Sequence, residues 1–467
     1  MNPFLPAPST APALDPDFRP AVLANRAFHG AVKSSGRPVP LRLAFERSDA
    51  SVSQYSFEVL PENHPHAATN FFFVERLCKF LLWSRGAATI FFDGPAALCA
   101  QLQEHYQRSA TGRFDAAIMG NRIYDRPFSV VRVSPAELPS ANEFAAPLGR
   151  HLEGCRIGFD LGASDRKAAA VIDGKPVFTE EVPWDPRPQA DPQWHFDQIM
   201  DSLKRAAAHL PRVDAIGGSS AGVYVGNRVK VASLFRGVPE PLFEKRVKDL
   251  FLDLKRAWNN IPFEVVNDGE VTALAGAMSL QGNAVLGIAL GSSQAAGYVT
   301  PAGNITSWLN ELAFAPIDYR PAAPADEWSG DLGCGVQYFS QQAVGRLLPA
   351  SGLEIDPALP LPEKLVEVQH AMSHGDTRAA KIYQCIGVYL GYTVAHYKQF
   401  YDFQHLLVLG RVTTGQGGEI IVNEANRILL AEFPDLQVRL HLPDEKDKRH
   451  GQAVAAASLP VITQAPA

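Results

Sequence analysis

One short segment, Ile157–Lys167, constrains the fold more than any other part of the sequence. Its apolar start predicts a strand running into Asp160, Gly162 predicts a tight turn, and residues 168–172 predict a second strand. The backbone N–H groups of such a turn can face an anion, and Asp160 is placed to hold a hydrated divalent metal. An ordinary hairpin has the same pattern, and no Gly-Lys-Ser/Thr of a P-loop follows. The segment therefore indicates a phosphate site only in combination with motifs further along the chain.

The composition of the chain excludes several classes of protein. The 467 residues are enough for about three domains, and the net charge of −6 disfavours nucleic acid and anionic membranes as partners. The five cysteines are scattered without a CxxC pair, which argues against a disulfide framework and a structural zinc site. Neither a signal peptide nor a run of eighteen apolar residues is present. We therefore expect a cytoplasmic protein with reduced thiols.

The pattern of apolar, proline and glycine residues changes near residue 150. Residues 1–40 read as a loose Pro-rich arm, and residues 41–150 as an accessory α/β region of unknown role. Residues 151–280 and 281–467 read as two α/β halves, each with one glycine-containing hairpin. Within these regions we predict further elements: strands at 88–92, 116–119 and 128–133, helices at 243–258 and 336–347, and a charged surface run at 444–449.

Two further glycine-containing loops have the chemistry of a phosphate or nucleotide site. Gly291, followed by Ser292 and Ser293, offers backbone N–H and hydroxyl donors between two apolar strands. Gly410 follows a buried strand and opens a glycine-rich loop before a helix, which allows close backbone approach by a ligand. A tight polar hairpin and a plain strand-to-helix loop would look the same, so neither motif is specific alone.

Asn267 and Asp268 lie where a buried strand enters a helix. Asp268 in this position could be a helix N-cap. It could equally be a general base, because the strand ends of open α/β sheets face the ligand crevice and a carboxylate accepts the proton of an attacking hydroxyl. The residues alone leave both roles open.

The order of these pieces resembles that of the actin, hexokinase and heat-shock chaperone ATPase superfamily, and within it most resembles the ROK family of sugar kinases and repressors. The resemblance covers about residues 154–460, and the small-residue segment Gly451–Ala457 matches a helix that packs under the nucleotide. It implies an α/β, two-lobed actin-like ATPase (ribonuclease H-like) fold with an extra N-terminal α/β region.

The resemblance also implies roles for individual residues. Asp268 would be the catalytic base and Asp160 would hold Mg²⁺ through water. Asn267, Glu311 and Phe314 fall on positions of the family's sugar-binding segments. The contacts with ATP would come from the first turn, the second turn and the adenosine loop: Asp160, Gly162, Ala163, Ser164, Lys167, Gly291, Ser292, Ser293 and Gly410.

Two departures from the family pattern concern the acceptor. Phe314 stands where the family has a sugar-contacting His, and residues 333–340 keep only Gly-Cys and the later Ser of the family's zinc motif, so no zinc is implied. Trp308, Tyr319 and Trp328 could line a less polar pocket, although aromatic residues in a loop more often simply pack.

The main hypothesis is an ATP- and Mg²⁺-dependent kinase that phosphorylates a sugar or cyclitol hydroxyl; the resemblance is compatible with a homodimer. The alternative is a regulatory protein of the same fold that binds nucleotide or sugar with little catalysis. Residues 218–222 also match the Gly-x-Ser-x-Gly elbow of hydrolases, but no later His stands in a convincing context.

Overall fold

The computed structural model describes residues 2–143, 145–146, 148–443 and 451–462. The charged run predicted at 444–449 lies outside the described residues. The chain divides into two compact units. Unit 1 comprises residues 1–144, 288–296 and 307–442, and unit 2 comprises residues 145–287, 297–306 and 443–467. No helix of the described residues combines the length and the apolar character needed to cross a bilayer.

The helices and strands follow in chain order. The α-helices are α1 Ala21–Ser34, α2 Asn70–Arg85, α3 Ala96–Arg108, α4 Ala110–Ala116, α5 Pro192–Ala207, α6 Glu240–Leu242, α7 Leu250–Ala257, α8 Asp268–Ser279, α9 Gln341–Ser351, α10 Leu361–Ser373, α11 Thr377–Tyr397, α12 Gln416–Glu432 and α13 Gly451–Ala457. Shorter 3₁₀ or π-helical segments are Ala67–Thr69, Ala117–Ile123, Ser233–Phe235, Phe243–Val247, Leu312–Phe314, Gly335–Gln337 and Arg411–Thr413.

The strands are β1 Val39–Glu46, β2 Val52–Val59, β3 Thr89–Asp93, β4 Ser129–Arg132, β5 Ala145–Ala146, β6 Cys155–Leu161, β7 Asp165–Ile172, β8 Lys175–Pro183, β9 Ala215–Ser220, β10 Val223–Val225, β11 Arg228–Val231, β12 Phe263–Asn267, β13 Val285–Leu290, β14 Gln294–Val299, β15 Ile305–Thr306, β16 His405–Leu409 and β17 Arg439–His441.

Unit 1 contains the accessory α/β region as a four-stranded sheet of order β2-β1-β3-β4. Strand β1 pairs antiparallel with β2 and β3, and β4 lies parallel to β3. The helix α2 is buried over nearly its whole length, although it carries Glu75, Arg76 and Lys79. Buried charges need partners. Glu75 pairs with Arg76 at 2.5 Å, and Arg76 and Lys79 also belong to a network described below.

The N-terminal arm also has defined contacts within unit 1. Asp15 accepts hydrogen bonds from Arg320 and Arg346, at 2.5 and 2.8 Å, and from the Tyr389 hydroxyl at 2.7 Å. Phe18 is fully buried and its ring lies 4.9 Å from that of Tyr389. These contacts join the arm to α9 and α11.

Unit 2 is built on a five-stranded sheet of order β12-β9-β6-β7-β8. Strands β6, β7 and β8 form an antiparallel meander, and β9 and β12 continue the sheet in parallel with β6. Because the strands that continue in parallel end at the same edge, the ends of β6, β9 and β12 lie together at one edge. In this unit β14 also pairs with β15, and β15 with β5.

The terminal helix α13 packs on the sheet of unit 2 at glycine positions. A Cβ atom added at Gly158 would lie 1.7 Å from the carbonyl oxygen of Ala453, and one added at Gly217 would lie 1.7 Å from that of Ala456. Only glycine permits this approach, because real Cβ contacts are never so short. The small side chains of the helix and the two glycines therefore fix its distance from β6 and β9.

The predicted α/β fold is confirmed, with differences in individual elements. The hairpin predicted around Asp160 is present as β6 and β7. The strand predicted at 116–119 is wrong, because these residues continue α4 into the π-helical segment Ala117–Ile123. The helix predicted at 243–258 is interrupted, and the one predicted at 336–347 begins as the 3₁₀ turn Gly335–Gln337 and continues as α9 only from Gln341.

Candidate active site

Asp160 lies at the end of β6, buried, with two polar partners in unit 2. Its Oδ1 accepts a hydrogen bond from the Ser219 hydroxyl at 2.6 Å, and its Oδ2 lies 3.5 Å from the Lys167 ammonium. Burial raises the pKa of Asp160 above its ordinary value, and the charge of Lys167 and the Ser219 hydrogen bond oppose that rise. The strand end thus carries a carboxylate that is only partly neutralised.

Ser219 was not predicted as a site residue. It precedes Ser220, the central serine of the Gly-x-Ser-x-Gly sequence at 218–222. Ser220 is fully buried and its hydroxyl lies 2.6 Å from that of Tyr224, so it is not the exposed nucleophile of a hydrolase. The register of β6 and β9 places Ser219 directly beside Asp160. Recognising from the sequence that both strands end at one edge could have found this pair.

The turn after Asp160 is closed by its own hydrogen bonds and leaves its tip exposed. The N–H of Gly162 donates to the carbonyl of Asp165 at 2.9 Å, and the indole N–H of Trp184 donates to the Gly162 carbonyl at 2.8 Å. Ala163 and Ser164 are exposed at the tip. The Gly162 N–H is therefore used within the turn, and an approaching anion meets the tip residues and Lys167.

Asn267 caps helix α8. Its Oδ1 accepts from the N–H of Gly269 at 2.7 Å, and its Nδ2 donates to the carbonyl of Gly222 at 2.6 Å. Of the two roles left open by the sequence, the N-cap thus belongs to Asn267 and not to Asp268. The side-chain amide ties the end of β12 to the loop after β9.

Asp268 is the first residue of α8 and is half-buried. Its Oδ1 accepts from the N–H of Gly269 at 3.0 Å. Burial and, secondly, the negative charge of Asp160 raise the pKa of Asp268 to about 6. A carboxyl group with this pKa is ionised at neutral pH and is a better proton acceptor than an ordinary aspartate, which suits a general base.

Unit 1 contains the second turn and the glycine-rich loop. The carbonyl of Gly291 accepts from the N–H of Gln341 at 2.9 Å, while Ser292 and Ser293 are exposed at the tip. Gly410 has φ of +104°, and a Cβ atom there would lie 2.5 Å from the carbonyl oxygen of Leu290. The two predicted nucleotide segments of this unit therefore lie against each other.

Glu311 and Phe314 also lie in unit 1, where the end of α2 holds their turn. The N–H groups of Asn310 and Glu311 donate to the carbonyls of Ser84 and Trp83, each at 3.0 Å. Asn310 has φ of +52° and its side chain accepts from the Tyr401 hydroxyl at 2.9 Å. The contact of this turn with α2 could not be predicted from the sequence, because α2 belongs to a region outside the family resemblance.

Three aromatic residues considered for a pocket have separate surroundings. Tyr319 is buried in a core with Phe72 and Phe73. The Trp308 ring is covered by the Arg85 guanidinium at 3.5 Å. Of the three, Trp328 lies beside Phe314, with ring centroids 5.3 Å apart.

The two units together have the ROK-type actin-like ATPase fold, with the accessory region added at the N-terminus. The chain is similar to the crystal structure of the ROK hexokinase from Thermus thermophilus, with 18% sequence identity and a TM-score of 0.52 over 66% of this chain and 97% of that chain. It is also similar to a ROK family transcriptional regulator, a homolog of the E. coli MLC protein, with 18% identity and a TM-score of 0.50 over 66% of this chain and 78% of that chain. No protein-family model and no curated protein matches the sequence.

Proposed function

We propose that the protein is a kinase that transfers the γ-phosphoryl group of ATP to a hydroxyl of a sugar or cyclitol. The observation that carries this proposal is the pair Asp160 and Asp268 at the strand ends of unit 2. One carboxylate is buried beside a lysine, and the other has a pKa raised to about 6 by burial and by its neighbour. Buried carboxylates that interact and have raised pKa values are typical of functional sites.

The reaction needs one proton transfer and one P–O exchange. Asp268 accepts the proton of the acceptor hydroxyl, whose oxygen forms a bond to the γ-phosphorus while the bond from that phosphorus to the oxygen of ADP breaks. The product carboxylic acid is stabilised by the same burial that raises the pKa of Asp268. The proton leaves to solvent when the phosphorylated product departs, and the site is restored.

The exposed turns would hold the phosphates of the nucleotide. Ser164 in unit 2 and Ser292 and Ser293 in unit 1 present hydroxyl groups at turn tips, and Lys167 adds a positive charge. Gly410 allows close backbone approach on the adenosine side. Each contact is a hydrogen bond or charge pair to phosphate or base and requires no covalent chemistry by the protein.

The donor set around Asp160 fits a hydrated Mg²⁺. No group of three or more His, Cys, Asp or Glu side chains arranged for a metal occurs among the described residues, and Mg²⁺ in kinases is typically held by one or two carboxylates, waters and substrate phosphates. Asp160 would hold the ion through water. When bound, the ion neutralises charge on the phosphates.

The acceptor is proposed to lie against Glu311, whose carboxylate would orient a hydroxyl. Phe314, three residues later, offers an apolar surface. Asn267 supports the base by capping α8, and its contact with the acceptor stays a prediction. The similarity to the ROK hexokinase supports a carbohydrate acceptor, since the structural match covers 97% of the hexokinase chain.

The test is phosphoryl transfer by wild type and by Asp268→Asn over a panel of hexoses, N-acetylhexosamines and cyclitols, with ADP release as readout. We expect the variant to lose about 10²- to 10⁴-fold in kcat and to keep its affinity for ATP analogues. Asp197→Asn, at an exposed position of α5 whose carboxylate accepts a hydrogen bond from Gln193, is the matched control and should retain most activity. An active wild type that tolerates Asp268→Asn would contradict the assignment of the base.

The second candidate is a regulatory protein that binds ligands without turnover. The similarity to the ROK transcriptional regulator, with a TM-score of 0.50, favours considering it. Calorimetry with a non-hydrolysable ATP analogue and the same panel separates the two candidates. Binding of nucleotide and sugar without ADP release on any acceptor would support regulation and exclude the kinase.

A further inference from the structure

Phe314 belongs to a cluster of four aromatic rings in unit 1. Its ring centroid lies 4.3 Å from that of Trp83 and 5.3 Å from that of Trp328. Phe114 completes the cluster, at 6.3 Å from Trp83 and 5.1 Å from Trp328. We call these four residues the aromatic wall. The accessory region supplies two of them, and two lie in the segment that also carries Glu311.

The aromatic wall is buried on one side and open on the other. Trp83 is 1% exposed and donates its indole N–H to Asp115 at 3.0 Å, whereas Trp328 is 52% exposed. Phe314 lies between them and is half-buried. An aromatic surface thus runs from the buried Trp83 through Phe314, the last residue of the turn after Glu311, to the exposed Trp328.

The exposed end of the wall is held rigidly. The Asp326 Oδ2 accepts from the N–H groups of Trp328 at 3.2 Å and Ser329 at 2.6 Å, and the N–H of Asp326 donates to the carbonyl of Asp331 at 2.8 Å. These bonds fix the loop on both sides of the tryptophan. A ring on such a loop is ordered before any ligand arrives, which lowers the entropy lost on binding.

A buried charge network joins this loop to α2. The Asp331 carboxylate lies 3.1 Å from the Arg76 guanidinium and 3.0 Å from the Lys79 ammonium, and Lys79 also lies 2.7 Å from Asp115. None of these side chains is more than 10% exposed. The accessory region therefore fixes the loop of Trp328 through the ion pairs to Asp331. It also fixes the Glu311 turn through the carbonyls of Trp83 and Ser84 near the end of α2.

We propose that the accessory region completes the acceptor site, and that the aromatic wall binds an apolar group carried by the sugar or cyclitol acceptor. This inference rests on the proposed function, because it places the acceptor at Glu311. The face of an aromatic ring offers a hydroxyl no conventional hydrogen-bond partner, so a free hexose gains little affinity there. An aryl or alkyl aglycone, or an acyl substituent, gains contact area and ring stacking instead.

The experiment measures binding, not turnover. Intrinsic tryptophan fluorescence and calorimetry compare phenyl β-D-glucoside with D-glucose, in the presence of a non-hydrolysable ATP analogue. We expect wild type to bind the phenyl glucoside about 3- to 10-fold more tightly than glucose, from one stacking contact. Trp328→Ala should abolish this ratio, Trp328→Phe should restore much of it, and Leu332→Ala, an exposed residue of the same loop, should leave it unchanged.

The outcomes separate the wall from the proposed function. Equal affinity for phenyl glucoside and glucose, binding of neither, or a ratio unaffected by Trp328→Ala overturns the proposal that the aromatic wall binds an apolar group. Aryl preference in a protein that transfers no phosphate to any acceptor supports the proposed role of the aromatic wall and refutes the kinase proposal. Phosphate transfer without aryl preference refutes the proposed role of the aromatic wall but leaves the kinase proposal intact. Because Trp328 is half-exposed, its substitution is not expected to prevent folding.

Discussion

The substitution Asp268→Asn is expected to inactivate the protein and, at the same time, to make its folded state more stable. The pKa of Asp268 rises from its ordinary value of 3.8 to about 6 through burial and the charge of Asp160. Two pKa units correspond to about 3 kcal/mol of free energy. Since the side chain is only half-buried, solvent screening reduces the expected gain to about 1–3 kcal/mol. For a cooperative unit of 150–250 residues this is a rise in Tm of about 2–10 °C.

The pH dependence of this gain has a definite sign. Because the folded-state pKa lies above the unfolded one, the native state binds the proton more tightly, and the ionised carboxylate lowers stability as pH rises from about 4 to 6. The gain of Asp268→Asn should therefore be complete at pH 7.5 and vanish below about pH 4. Chemical denaturation of both proteins at these two pH values measures it.

A control of opposite sign is available in the same unit. Burial tends to raise the pKa of Asp214, but the hydrogen bond from the Cys155 N–H at 2.8 Å and the Arg212 side chain lower it overall. Asp214→Asn should therefore lose stability at pH 7.5. If Asp268→Asn were less stable than wild type at pH 7.5, or shifted equally at pH 4, the argument that its carboxylate is strained by burial and repulsion would be refuted.

Three further substitutions test the packing. Gly158→Ala should cost more than about 4 kcal/mol or prevent folding, since its Cβ would lie 1.7 Å from a carbonyl oxygen of α13. Gly30→Ala, with open space around it, should not destabilise the protein. Thermal melts followed by circular dichroism compare the two variants. Lys79→Met should cost about 3–5 kcal/mol in urea unfolding, because it leaves the buried Asp115 carboxylate without a cation and Asp331 with Arg76 alone. Arg108→Met at an exposed pair should change little, and equal effects would contradict the buried network. Burial tends to raise the pKa of Asp15, but hydrogen bonds from two arginines and a tyrosine outweigh burial and lower that pKa overall. Asp15→Asn should therefore destabilise the protein at pH 7, and its difference in stability from wild type should shrink as pH falls below about 4. A pH-independent difference would show that charge is not the cause.

The local motifs were readable from the sequence because their chemistry is local. The hairpin around Asp160 depends on a turn between two apolar strands, and Asn267 lies at a strand end that enters a helix. Residue types and their spacing carry that information within ten or so positions. The order of the motifs along the chain then predicted the fold, which the structural similarity confirms.

The role of α2 could not be predicted from the sequence. Hydrophobic periodicity assigns charged residues to the solvent side, yet Arg76 and Lys79 are buried because their partners Asp331 and Asp115 lie on distant segments. Glu75 is buried beside Arg76, with which it pairs. The strand predicted at 116–119 failed for a related reason. Asp115 at the end of α4 is fixed by Lys79 and Trp83, so tertiary contacts extend the helix through residues whose own propensity is ambiguous.

The ion pair between Arg76 and Asp331 has a consequence for how the protein is made. The two residues are 255 positions apart, and ribosomes add about 5–20 residues per second, so the charges of α2 wait roughly 13–50 s for their partner during synthesis. Until then Arg76 has its neighbour Glu75 and Lys79 has Asp115, but the helix lacks the ion pairs to Asp331 that join it to the 326–332 loop. The N-terminal region is therefore expected to remain open, and within reach of chaperones, until more than two thirds of the chain has left the ribosome.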